Sequence, residues 1–112
     1  MTTITVGLDD GTVFCTPRAG NLRVGPGVTV TWRGRWPALQ FCLTFYLEPF
    51  NGMPPRTSAW PFTGTPPATP TTGWVSTFSG TAGDDGVFKY VVEVKDAAGN
   101  HGRLDPVIII RN

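Results

Sequence analysis

One imidazole limits the acid–base chemistry open to this chain. His101 is its single histidine, and Cys15 and Cys42 are its only thiols. A Ser-His-Asp relay would have to use His101, and no Ser sits in the G-x-S-x-G setting that exposes a nucleophile on a strand-to-helix turn. No H-E-x-x-H places two imidazoles on one helical face, and no Gly-rich loop opens a helix to cradle phosphate. Zinc would need Cys15, Cys42 and His101 together, without the short paired spacings by which two ligands reach one ion. Carboxylates gather in three turns: Asp9-Asp10, Asp84-Asp85, and Asp96 with Asn100 and Asp105. Calcium takes oxygens of this kind. None of the spacings is that of an EF-hand, however, and a turn Asp commonly bonds its own backbone. No catalytic, cofactor-binding or metal-ligating residue is therefore nominated, and the chain is expected not to be an enzyme.

The residues best suited to gripping another molecule are aromatic and cationic. Arg33-Gly34-Arg35-Trp36-Pro37 sets two guanidiniums beside an indole, a combination that holds a base, a sugar or an acidic partner by stacking and charge. The plainer reading of the same residues is a solvated loop with Trp36 folded onto the rim. Residues 49–73 hold seven of the 11 prolines, together with Phe50, Met53, Trp60 and Phe62. Structureless connections of this length are uncommon in compact domains unless functional or disordered, and a disordered linker lacks large aromatics because nothing buries them. An ordered, extended excursion is expected, laid over the domain's own edge strand, over a partner or over a second copy. Aromatic anchors and Arg dominate interface energetics. Arg33, Arg35, Trp36, Phe50, Met53, Trp60 and Phe62 are accordingly the expected partner-binding residues.

The elements that must position these groups follow a period of two. In Phe88–Val94 the residues Phe88, Tyr90, Val92 and Val94 alternate with Lys89, Val91 and Glu93, as in a half-buried strand. Asp96-Ala97-Ala98-Gly99-Asn100 supplies turn chemistry. Val107–Ile110 is a β-branched run for a strand covered on both sides, with Pro106 at its start, where a missing N–H is tolerated. Phe41–Glu48 alternates in the same way, and Val28–Trp32 turns Val28, Val30 and Trp32 inward. Short strands are also expected at Ile4–Val6, Val13–Cys15, Leu22–Val24 and Trp74–Phe78, with turns at Asp9-Asp10-Gly11, Gly25-Pro26-Gly27 and Ser79–Gly86.

Fourteen Gly and 11 Pro exceed a fifth of the 112 residues, while charged residues make up 15%. Many turns, few charges and plentiful β-branched residues predict an all-β, two-sheet antiparallel β-sandwich of seven or eight strands. A single domain over 1–112 is expected, with 49–73 as an excursion within it. A net charge of +1 gives no long-range pull toward nucleic acid or an anionic membrane, so neither is the expected partner. The first residues, MTTITVGLDDG, carry no basic stretch followed by an apolar one, which predicts a cytoplasmic protein, or a secreted one if a leader has been trimmed away.

Two resemblances bear on topology. Asp84-x-Gly86-x-Phe88-x-Tyr90 is similar to the immunoglobulin D-x-G-x-Y-x-C pattern, with Phe in place of the Tyr and Tyr in place of the Cys. The turn DAAGN after YVVEV looks like the closing hairpin of bacterial immunoglobulin-like repeats. Phe14-x-x-Pro17, followed by Leu22-x-Val24-x-x-Gly27-Val28-Thr29-Val30-Thr31-Trp32, resembles the N-terminal half of cupredoxin-like domains. Both families are two-sheet sandwiches, and the resemblance implies architecture rather than activity. A blue-copper centre needs two His and a Cys, which one imidazole cannot supply, so no cofactor is expected. The function that follows is a non-enzymatic interaction or structural module, binding a protein partner or itself through the Pro- and aromatic-rich excursion and the Arg33–Pro37 loop. The alternatives are a carbohydrate-binding module stacking Trp36, Trp60 or Trp74 on sugar, and a small-ligand or metal-dependent enzyme with its site at a subunit interface.

Overall fold

The computed structural model describes residues 2–47 and 59–111, so Phe50 and Met53 lie outside the described residues. Nine strands follow one another: β1 (Thr2–Asp9), β2 (Thr12–Thr16), β3 (Leu22–Val24), β4 (Thr29–Gly34), β5 (Gln40–Leu47), β6 (Thr77–Thr81), β7 (Gly86–Lys95), β8 (His101–Leu104) and β9 (Val107–Ile110). A single 3-10 turn, Arg18–Gly20, joins β2 to β3, and there is no α-helix among the described residues. One sheet has the order β2-β1-β4-β6, the other β3-β9-β7-β5, with β8 also pairing β7. The two sheets share one apolar interior.

Period-two burial builds that interior, because successive side chains in a strand point to opposite faces. Ile4, Val6 and Leu8 face inward on β1, Phe41, Leu43 and Phe45 on β5, and Phe88, Tyr90, Val92 and Val94 on β7. Trp32, with no exposed surface, stands at the centre. Its indole meets Phe45, Phe62 and Tyr90 edge-on, at centroid distances of 6.4, 5.8 and 5.7 Å.

Three details depart from the sequence reading. First, the sandwich is not purely antiparallel: β1 runs parallel to β4, and β3 parallel to β9. Second, the strand expected at Trp74–Phe78 lies at Thr77–Thr81, so that its last three residues fall in the stretch that reads as turn. Ser-Gly-Thr carries weak β propensity, but its neighbours decide the matter. Thr31 Oγ1 lies 2.8 Å from Ser79 Oγ and Thr29 Oγ1 lies 3.2 Å from Thr81 Oγ1, knitting β4 to β6. Third, nine strands among the described residues replace the expected seven or eight because the chain around Pro106 pairs with β7 twice. His101–Leu104 pairs with the far end of β7 and Val107–Ile110 with the near end. The Tyr90 N–H donates to Pro106 O at 3.0 Å between them.

Tyr90 also shows how a polar tip is accommodated in the core. Its hydroxyl donates to Gly20 O and accepts from Trp32 Nε1 at 3.4 Å. Tyr90, standing where the immunoglobulin pattern has Cys, thus ties the Arg18–Gly20 turn to β7, while Phe88, the other departure, is wholly apolar and buried. Gly20 has φ +82°, and a Cβ there would lie 2.9 Å from Tyr90 Oη and 3.2 Å from both Cys15 Cβ and Pro106 Cγ. Left-handed backbone costs a non-glycine residue about 1–2 kcal/mol before any clash. Gly20→Ala is therefore expected to lower unfolding free energy by roughly 2–3 kcal/mol, measured from urea midpoints at constant m-value.

The described part of the excursion, residues 59–73, together with residues 74 and 75, closes one side of the sandwich. Unpaired strand edges invite association, and here both are covered by the same stretch of chain. Along β6, the Thr63 N–H donates to Thr81 O and the Gly83 N–H to Pro61 O, each at 2.8 Å. Along β5, Phe41 and Val75 exchange both backbone bonds at 2.8 Å. On the same edge, the Phe45 N–H donates to Pro70 O at 2.8 Å and the Thr72 N–H to Leu43 O at 2.9 Å. Between these anchor points Phe62 drops into the core, 7% exposed. Its ring occupies the space that a side chain at Gly80 would need, 2.5 Å from an ideal Cβ.

Candidate functional site

Elements far apart in sequence meet at one end of the sandwich. The β4–β5 loop is held there by three backbone bonds: Gly34 N–H to Ser76 O at 3.0 Å, Arg35 N–H to Val6 O at 2.8 Å, and Leu39 N–H to Trp36 O at 3.1 Å. The β7–β8 turn lies alongside, because Gln40 at the start of β5 pairs with Lys95, and Lys95 with His101. Gly102 packs against the β1–β2 turn at Gly11.

Arg33, Arg35 and Trp36 are brought together on this end and face solvent, Trp36 with 36% of its surface exposed. The Arg35 guanidinium lies over the Phe14 ring, 5.5 Å from its centroid. Phe14 in turn lies flat on Gly7 of the neighbouring strand, where a Cβ would overlap the ring. Gly7 thus leaves the space for the ring that positions the guanidinium.

Trp60 and Phe62 do not join this cluster. Trp60 packs edge-on against Phe45 and Phe78, at 5.4 and 5.9 Å, and is partly buried. Phe62 is a core residue. The physical reason is that β6 carries Gly80 where β4 carries Val30, leaving a hole that an aromatic ring fills.

The structure adds an aromatic site through Trp74, 43% exposed. Its neighbour Val75 bridges Phe41 and packs on the core, so Trp74 must point to the outer face. The Lys95 Nζ lies 4.2 Å from its ring centroid. Glu93, Asp96 and His101 line the same groove, of about 330 Å³. The sequence signal for this was the alternation of Trp74 with Val75, but the partners Glu93, Lys95 and His101 sit about 20 residues away and are joined to it only by strand pairing.

Among the described residues no three His, Cys, Asp or Glu side chains come close enough to hold a metal. The Asp96 carboxylate is occupied by its own turn: it accepts from Asn100 Nδ2 at 3.1 Å, Asn100 N at 2.9 Å and Ala98 N at 3.0 Å. These bonds, the Asn100 side chain first, hold its pKa below the usual carboxylate value.

Both cysteines are free, Cys15 buried and Cys42 partly exposed with its Sγ 3.1 Å from Thr71 Oγ1. Cys15 faces the interior from β2, whereas Cys42 lies on the outer side of β5, so the two cannot meet. Burial pushes the Cys15 thiol from 9.0 up to about 12. Because the thiolate is the nucleophile, Ellman's reagent is expected to titrate one thiol in the native protein and the second only after unfolding. Two thiols reacting at equal rates in the native state would contradict the burial of Cys15.

Burial also raises the Tyr90 phenol above its ordinary 10.0. A folded value above the unfolded one means that folding favours the protonated form. For Cys15 that contribution is whole below about pH 9 and is lost as pH rises toward about 12; for Tyr90 the loss begins near pH 10. Urea midpoints are therefore expected to hold from neutral pH to about pH 9 and to decline above it. A Cys15→Ala variant should show a shallower decline.

No known protein family matches the chain, and no curated protein resembles it closely enough to count as a relative.

Proposed function

We propose that this chain is a non-enzymatic binding module that contacts a protein surface, another protein or a second copy of itself, through the loop Arg33–Pro37. One observation carries this reading: Trp36 and two guanidiniums stand exposed on a loop whose backbone is bonded to Val6 of β1, to Ser76 and across itself. Trp and Arg are the side chains most enriched among interface residues that dominate affinity. A loop already held in place loses little conformational freedom on docking, so more of the contact energy appears as affinity. Two exposed cations on the same stretch as the indole favour an acidic patch on the partner. Trp60 and Phe62, which cover the chain's own edges, belong to the scaffold in this reading rather than to the contact.

The scaffold is cupredoxin-like rather than immunoglobulin-like in strand order. In the immunoglobulin arrangement the first strand lies at the edge of the ABED sheet. Here β1 is internal, between β2 and a parallel β4, which supports the other topology.

A photo-reactive residue introduced at Trp36 is expected to yield adducts of discrete mass with a partner or a second copy, absent when the label sits at Pro26 in the exposed turn before β4, at the opposite end of that strand. Identical labelling from both positions, or none from either, would remove the proposal. Trp36→Ala is expected to weaken the contact by at least about 2 kcal/mol, roughly 30-fold. It should change unfolding free energy by no more than about 0.5 kcal/mol.

A further inference from the structure

The indole of Trp74 lines a groove that takes no residue from the Arg33–Pro37 loop and has polar neighbours of its own. It is the most exposed large apolar side chain among the described residues. The groove beside it, about 330 Å³, is near the lower end of small-ligand sites, which run from roughly 300 to 1,000 Å³. One ring fits there, and a long chain does not.

The groups around the groove select the chemistry of that ring. Lys95 offers an ammonium and Glu93 a carboxylate that takes no hydrogen bond or ion pair among the described residues. His101 is exposed and can donate or accept, its Nδ1 lying 3.4 Å from Gly99 O. Asp96 lines the groove too, but its oxygens are taken by the turn. An anionic ligand would face Glu93 and Asp96, and a cationic one would have to compete with Lys95 for the indole face. A neutral sugar is repelled by none of these charges. Its C–H face is apolar enough to lie on an indole, and its hydroxyls both donate and accept at the rim. Lys95 need only slide aside, since an exposed cation–π pair is worth about 0.5–1 kcal/mol.

We propose that this groove binds a single neutral sugar ring, stacked on Trp74, with its hydroxyls bonded to Glu93, Lys95 and His101. The site depends on the outer face of β7 and β8 and is independent of protein contact at Trp36.

The probes are the methyl glycosides of glucose, galactose, mannose and N-acetylglucosamine, titrated into isotope-labelled full-length protein and followed by amide and indole N–H shifts. At least one is expected to bind with millimolar affinity, moving the Trp74 indole signal and the amides of Lys95 and His101 together. Trp74→Ala should weaken that binding about tenfold or more, equivalent to about 1.4 kcal/mol, with the rest of the spectrum unchanged. Glu93→Gln, which keeps the shape and removes the charge, should weaken it severalfold. Absence of any shift with all of the glycosides would overturn the proposal, as would shifts that persist in Trp74→Ala. So would tighter binding of choline or of adenosine monophosphate at the same signals. Loss of sugar binding in Trp74→Ala with photo-adducts at Trp36 intact would separate this site from the protein contact.

Discussion

Trp32→Ala is expected to remove about 3–5 kcal/mol of unfolding free energy, a large share of what holds the domain folded. Trp32 has no exposed surface, and its ring is flanked by Phe45, Phe62, Phe78 and Tyr90 at centroid distances of 5.7 to 6.4 Å. These residues come from β5, β6, β7 and the excursion, so the indole is the common neighbour of both sheets. Removing a fully buried aromatic costs about 3–5 kcal/mol, from lost transfer energy and from a cavity that rigid neighbours cannot fill. A domain of this size has roughly 5–15 kcal/mol in total. The Tyr90 hydroxyl would keep its bond to Gly20 O but lose the Trp32 Nε1 donor. Trp32→Phe retains most of the ring and should cost about 1–3 kcal/mol. Far-ultraviolet circular dichroism against urea measures both, without relying on tryptophan emission. A loss below about 1 kcal/mol for Trp32→Ala would mean that the interior is not organised around this ring.

Phe62→Ala carries the second large effect and decides between two roles for the proline-rich excursion. A partner-contact residue on the surface would change stability by no more than about 0.5 kcal/mol when truncated. Phe62 is instead expected to cost about 3–4 kcal/mol, because its ring fills the space over Gly80 between Phe45, Trp60 and Phe78. The loss should also release the edge of β6. The amides of Thr63 and Gly83, which bond along that edge, should then lose hydrogen-exchange protection while those of β7 keep theirs. Exposed edges promote strand-to-strand association, so the variant is expected to aggregate at concentrations where the parent does not. Gly80→Ala tests the same contact from the other side, since its methyl group would displace the Phe62 ring. Matching exchange patterns in the two variants would establish that the ring and the glycine act as one unit.

Much of the scaffold could be read from local sequence. Phe88, Tyr90, Val92 and Val94 alternate with polar or less buried neighbours and are all fully buried. The same holds for Phe41, Leu43 and Phe45, and for Val30 and Trp32. Asp10-Gly11, with φ of 52° and 79°, forms the tight turn between β1 and β2 that its residues suggest. The Arg33–Trp36 cluster is exposed, as contiguous polar and aromatic residues in a loop would be. Neither Phe62 as a core residue nor the Trp74 groove could be recovered in this way.

Alternation and turn chemistry are properties of a few adjacent residues, so local sequence is enough to say which strand faces are apolar and where most of the chain turns. Contacts between distant segments are what make β1 and β4 parallel, make Ser79-Gly80-Thr81 part of a strand, and turn Phe62 inward and Trp74 outward. Each of these outcomes depends on a partner 17 or more residues away: Trp32 and Gly80 for Phe62, Thr29 and Thr31 for β6, Glu93 and Lys95 for Trp74. An aromatic side chain goes where a cavity awaits it, and the cavity exists only once two sheets have closed around it.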